Sequence, residues 1–235
     1  MKIYSQGDQA IVVSIEKEVS KDLTGDLLAL RSYLVAQSYP FITEIVPTES
    51  DMMICYDARD MIKHHQIASP YLYMKELIES IQLEIKYERN DEQLTQVPVI
   101  YGGQYGPDLD RLAEYHQLDN SSFITIHTAP NYFVSMMGYS PGFPYLTGMD
   151  ERLFVNHTGE EKTFIPAGSV IIEGKKTGIT TTDSYGDWLV IGYTPIELFN
   201  PHKKDFALFK LGDNVKLKPI SENDIDLGGF KPCQS

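Results

Sequence analysis

Six histidines, His64, His65, His116, His127, His157 and His202, are the first side chains to test for chemistry in this chain. His64 and His65 are adjacent, so they diverge on any regular element. No pair has the spacing of a helical zinc motif, and no metal site is expected. His127 stands apart. It lies in "FITIHTAPNY", at the end of an expected short helix and just before a strand. A helix C-terminus alone would favour its charged form. A lone histidine is usually structural, yet a ring that titrates near neutrality also suits hydrogen-bond donation or general acid–base work.

Other reactive pairs give less. "GPDLDRL" places Asp108 and Asp110 beside a glycine-rich turn, where carboxylates meet a helix dipole favourably; we read a helix start. No Gly-x-Ser-x-Gly elbow is present. Ser140, in "GYSPG", is followed by Pro141, which removes the backbone N–H an oxyanion would need. "GSVIIEGKKTG" fails as a phosphate loop, because the Gly168–Gly174 spacing is one residue too long and Lys175 precedes Lys176 instead of Ser or Thr. It reads as a strand followed by a basic turn, with Lys175 and Lys176 available as point charges for an acidic ligand.

The segment "MGYSPGFPYLTGMDERL", Met137 to Leu153, concentrates three glycines, two prolines and three aromatic residues. Gly138, Gly142 and Gly148 permit positive φ or close backbone approach. Pro141 and Pro144 fix φ and restrict the residues before them. Phe143 and Tyr145 add aromatic surface. Two readings stand: a stiff wall for a small ligand or a partner segment, or a packed corner of a β-barrel.

The elements that must position these residues fall into two sets. "QAIVVSIEKEV" reads as a strand. Ser20 is a candidate N-cap for a helix whose Leu23, Leu27, Leu30 and Leu34 share a face, ending before Pro40. "FITEIVP" and "DMMICYD" are short strands. A second helix starts at Ser69–Pro70, with Leu77, Ile78 and Ile81 on one face. The polar "ERNDEQLTQ", Glu88 to Gln96, is the expected linker. After it come the strand "VPVIYGG", short helices in "PDLDRLAEYHQL" and "NSSFITIHTA", the latter capped by Asn120 or Ser121, and β-rich runs punctuated by Gly and Pro: "NYFVSMM", "FIPAGSVIIEG", "DWLVIGYT", "FALFKLG" and "NVKLKPI". The expected organisation is an α+β unit over 1–90 and a β-barrel or sandwich over 91–235.

The chain has 235 residues, 42% of them hydrophobic and 23% charged, with a net charge of −13. That composition suits a soluble globular protein with a core of its own. The acidic balance argues against nucleic acid and anionic membrane as partners. Cys55 reads as a small buried hydrophobe and Cys233 as part of a tail, so no disulfide framework is expected. Neither a signal peptide nor a membrane span is expected, and the expected compartment is the cytoplasm.

"VIYGGQYGPDLDRLAEYHQL", "HTAPNYFVSMMGYSPGFPYLTGMDERL", "IPAGSV", "KTGI", "GDWLVIGYTPIELFNP" and "LGDNVKL" occur in one order. Together they resemble the KipI/PxpB family, also called allophanate hydrolase subunit 1 or carboxyltransferase subdomains C and D. The resemblance covers about residues 95 to 220 strongly and the N-terminal part in layout. It implies a small α+β N-terminal domain followed by a cyclophilin-like β-barrel. It also implies a KipA/PxpC-type partner, with a third, PxpA-type subunit, in a complex that opens 5-oxoproline to glutamate using ATP. Other members act as a carboxyltransferase component on urea or as an inhibitor of a sensor histidine kinase. A proline-isomerase-like activity, suggested by barrel class alone, ranks last.

The site residues this resemblance implies are His127 as the catalytic candidate, and Tyr139, Pro141, Gly142, Phe143, Pro144, Tyr145, Gly168, Ser169, Lys176, Thr177, Gly178 and Trp188 for substrate. The chain departs from the family pattern at Tyr193, where arginine is usual, in "VNHTGEEKTFIPAGSV", which lacks an arginine segment, and in "KTGITT". Tyrosine cannot reproduce arginine's planar fork for carboxylates. The departures imply a different substrate, or basic groups supplied by Lys175, Lys176 or the partner.

Overall fold

A computed structural model describes residues 1–81, 94–156 and 162–224. Its contacts divide the chain into two compact units, Met1–Arg89 and Asn90–Ser235. His157, Cys233 and most of the expected linker lie outside the described residues, while Leu94–Gln96 of that linker belong to a strand.

In the first unit β1 (Lys2–Ser5), β2 (Ala10–Ser14), β3 (Ile42–Pro47) and β4 (Asp51–Tyr56) form an antiparallel sheet of order β1-β2-β4-β3. Helices α1 (Lys21–Gln37), α2 (Ala58–His64) and α3 (Pro70–Ser80) complete it. β4 alternates, burying Met52, Ile54 and Tyr56, the signature of a sheet with one face on a core. These side chains join Ile11, Val13, Leu23, Leu27, Leu30, Leu34, Met74 and Ile78 in one cluster. The Ser20 hydroxyl accepts from the Leu23 N–H at 3.2 Å, capping α1 as expected. Ser20→Ala lowers the stability of this unit by about 1 kcal/mol; a thermal melt followed by far-UV circular dichroism checks it. Cys55 is half-buried, not fully inside. The four-residue β1 and seven-residue α2 extend beyond the sequence reading. The strand read over Gln9–Val19 is cut to Ala10–Ser14.

The second unit is built on a closed barrel. Its strands are β5 (Leu94–Tyr101), β6 (Tyr132–Met137), β7 (Pro144–Thr147), β9 (Ser169–Glu173), β10 (Lys176–Ile179), β12 (Leu189–Tyr193) and β13 (Asn214–Pro219), in the order β10-β7-β6-β13-β5-β12-β9. β8 (Thr163–Ile165) and β11 (Ser184–Gly186) pair as a separate ribbon. Helices α4 (Leu109–Tyr115) and α5 (Asn120–Thr128) follow β5. The α+β class and barrel therefore hold. Alternate residues of each strand point to opposite faces. Val97, Val99, Val134, Leu146, Val170, Ile172, Ile179, Leu189, Ile191, Val215 and Leu217 form the inner core, joined by Leu109, Leu112 and Phe123 of the helices.

Two local expectations change. Asp119, not Asn120 or Ser121, caps α5, because its carboxylate reaches the Ser122 N–H at 2.8 Å. "FALFKLG" forms no strand; only Ala207 bridges to Phe199. Among the described residues no helix is long and apolar enough to cross a membrane.

Candidate functional site

On the other side of β7, β9 and β12 lies a second apolar set. Phe143, Ile165, Ile171, Trp188 and Val190 are buried together, with Tyr145 packed against them. The barrel thus carries an aromatic outer face. The Met137–Leu153 segment builds its rim. Trp188 sits 5.5 Å from the Phe143 ring and 4.5 Å from the Tyr139 ring, the latter edge-on, within the range where aromatic pairs attract. Phe143 also lies 4.7 Å from Tyr145. Tyr139 is 58% exposed and adopts φ 66°, so it presents its ring at the mouth of the face. Around it Met137, Gly138, Tyr139, Ser140, Pro141 and Gly142 line a depression of about 320 Å³.

Two glycines make this packing possible. Gly142 has φ +76°, and a Cβ there would sit 2.7 Å from the Phe199 Cβ. Gly178, on β10, would place a Cβ 3.0 Å from the Phe143 ring. The absence of a side chain lets the phenyl ring lie over the strand. The Thr181 hydroxyl donates to the Pro141 carbonyl at 2.8 Å, which leaves its oxygen to accept from Ser140 at 2.8 Å. Ser140 is therefore a loop brace, consistent with discounting it as a nucleophile.

The other expected site residues fall in two places. Lys176 is half-buried with its ammonium 5.8 Å from the Tyr145 ring centre, near enough for a cation–π attraction. Gly168 and Ser169 form a buried turn instead. The Ser169 hydroxyl donates to the Pro166 carbonyl, and Gly168 links to Thr180 and Thr194 through its backbone. Pro144 is buried at the start of β7. "GSVIIEGKKTG" is a β9–β10 hairpin turning at Gly174, with no helix after it. It lacks the helix N-terminus of a phosphate loop.

His127 and Thr177 sit on the inner side. The His127 ring is fully buried. Its Nδ1 lies 2.9 Å from the Tyr101 hydroxyl and its Nε2 3.2 Å from Thr177 Oγ1. Burial drives its pKa down to about 3, because a charged ring there would lose its water without gaining an anion. The charge that a helix C-terminus alone would favour is not realised here: Lys216 donates to the Ala129 carbonyl at 2.5 Å at that helix end, and the His127 ring is buried in the core. Asp108 and Asp110 are structural. Asp108 accepts from the Val190 N–H at 2.7 Å and pairs with Arg111, and Asp110 accepts from Asn120. Tyr193, standing where the family has arginine, packs beside Gly168 and 6.2 Å from the Tyr105 ring. Tyr101, Thr181 and Phe199 carry no sequence signal of a site; their contacts are long-range and leave no local pattern.

A closed barrel with an aromatic outer face, joined to a small α+β unit, defines the class. Residues 1–209 match the carboxyltransferase domain, subdomain C and D, and the chain belongs to that family. It is 36% identical to the B-type subunit of 5-oxoprolinase from Bacillus subtilis (strain 168), over 95% of this chain and 94% of the relative. It is 32% identical to the B-type subunit of 5-oxoprolinase from Haemophilus influenzae, over 92% and 96%. Among solved structures, it resembles a conserved uncharacterized protein of Pyrococcus horikoshii, PH0987, at 33% identity and TM-score 0.55, covering 95% of this chain and 99% of that one. It shares its fold with TTHA0988 at TM-score 0.75 and 24% identity, spanning 91% of this chain but only 40% of that one.

Proposed function

We propose that this chain is the B-type subunit of a 5-oxoprolinase-like complex, in which it supplies a binding wall and companion subunits supply the reacting groups. The observation that carries this reading is the composition of the depression at Tyr139. Its six lining residues include no carboxylate, imidazole or ammonium. It can hold a small ring by contact, but it holds no acid–base pair for opening an amide. The similarity to B-type subunits of 5-oxoprolinase, over nearly the full length of both chains, supports the cyclic-amide substrate. Lys176, beside Tyr145, provides a point charge suited to the carboxylate of 5-oxoproline. In this reading ATP and catalysis belong to KipA/PxpC-type and PxpA-type companions in the cytoplasm.

Trp188 is the only tryptophan of the chain, so its emission reports the wall directly. The assembled complex is titrated with 5-oxoproline, using a Trp188→Phe complex to subtract companion signal. We expect a saturable change, weakened roughly tenfold, or about 1.4 kcal/mol, by Tyr139→Ala. A complex that turns over 5-oxoproline with no Trp188 response would remove the wall from the site.

A further inference from the structure

We infer that His127 is a positioning residue: a neutral imidazole carrying its proton on Nε2, which locks β10 so that Lys176 and Gly178 face the aromatic wall. The protons can be placed one by one. The Thr177 hydroxyl lies 2.7 Å from the Ile171 carbonyl, which can only accept. The single hydroxyl proton of Thr177 therefore goes to Ile171, and its oxygen is left as an acceptor. The group opposite it at 3.2 Å is His127 Nε2, which must then carry a proton and donate. A neutral ring has one N–H, so Nδ1 is bare and accepts from the Tyr101 hydroxyl at 2.9 Å. The chain Tyr101 to His127 to Thr177 to Ile171 has one direction and every group in it is satisfied.

The same residue is held from its backbone side. The Tyr132 hydroxyl donates to the His127 carbonyl at 2.6 Å. The ring is enclosed by Phe123 at 6.5 Å, Tyr132 at 5.8 Å and Tyr101 at 5.8 Å, measured between ring centres. One residue near the end of α5 thus ties together β5 and β10 through its ring and β6 through its carbonyl. On β10 the consequence is geometric. Thr177 points inward to His127, so Lys176 and Gly178 on either side of it point outward. Lys176 meets Tyr145 and Gly178 receives Phe143. A shift of Thr177 would move both, because packed interiors transmit displacement instead of absorbing it. This role is independent of which ligand the wall takes.

Two readouts test it on the full chain. The first is the long-range proton–nitrogen spectrum of the His127 ring. We expect the pattern of an Nε2–H tautomer, unchanged across about pH 5 to 8, the interval in which an ordinary histidine titrates. An Nδ1–H pattern, or a titration inside that interval, overturns the assignment. The second compares Thr177→Val, which keeps the side-chain shape but loses both hydrogen bonds, with Thr177→Ser, which keeps the hydroxyl. Acrylamide quenching of Trp188 should rise about twofold in Thr177→Val and stay near wild type in Thr177→Ser, since loosened packing admits the quencher. If both variants melt at lower temperature but leave Trp188 quenching unchanged, His127 is merely a core strut and the positioning role is wrong. His127→Gln serves as a second disruption of the same chain and should match Thr177→Val in quenching.

Discussion

Replacing His127 with alanine lowers the stability of the barrel unit by about 3–5 kcal/mol, the range for removing a large buried side chain and orphaning its polar partners. Truncation leaves a cavity among Phe123, Tyr132 and Tyr101, and it strips the buried Tyr101 hydroxyl and the Thr177 oxygen of their partner. Because Trp188 lies in the barrel unit, denaturant unfolding followed by its emission reads this unit and not the α+β unit. A loss under about 1 kcal/mol would mean that the site collapses without cost and that the bonded ring matters little. The same substitution changes the acid response. His127 in the folded state has its pKa pushed down to about 3, while in the unfolded chain it titrates near about 6.5. Between those values the unfolded state binds a proton that the native state refuses. Stability is therefore full above about pH 6.5 and falls by about 1.4 kcal/mol per pH unit as the pH drops toward 3. The His127 variants lose this component, so their unfolding free energy falls less steeply with acid than that of the wild type.

Gly142→Ala is the second large effect. The left-handed backbone at Gly142 costs an L-residue about 1–2 kcal/mol, and forcing a methyl into a packed contact costs about 1–3 kcal/mol more. The methyl would meet Phe199, a ring that itself packs on Phe206 at 6.1 Å. Together they predict a loss of about 2–5 kcal/mol, with displacement of the Tyr139–Phe143 rim. The expected signature is a red-shifted Trp188 emission in the folded state along with the lower midpoint. A variant as stable as wild type, with unchanged emission, would show that the rim has no fixed contact with Phe199.

Much of this architecture is legible in the residues themselves, for reasons that differ by element. α1 announces itself through Ser20 and four leucines at helical spacing, and all four are buried. The stiff Met137–Leu153 segment is recognisable from its glycines and prolines, because those residues act on their own backbone. β1 escapes notice because its four residues are largely exposed and carry no alternation. "FALFKLG" misleads in the opposite sense: its hydrophobicity reads as a strand, yet Phe206 and Leu208 are exposed. The site divides the same way. Phe143, Tyr145 and Trp188 lie in one aromatic set, and Gly178 makes room for it. His127 does not face the wall, since its setting depends on Thr177, 50 residues away. A helix-end position says that a histidine favours charge there; only the barrel interior says that this one is dry.

The proposed division, a wall from this chain and chemistry from companion subunits, is tested by reconstitution. ATP-dependent release of glutamate from 5-oxoproline is measured for the purified chain, for the proposed KipA/PxpC-type and PxpA-type companions, and for all of them together. Turnover is expected only in the complete mixture, and it is lost when the chain carries Gly142→Ala. Full turnover by the companions without this chain, or by this chain alone, would contradict that division of labour.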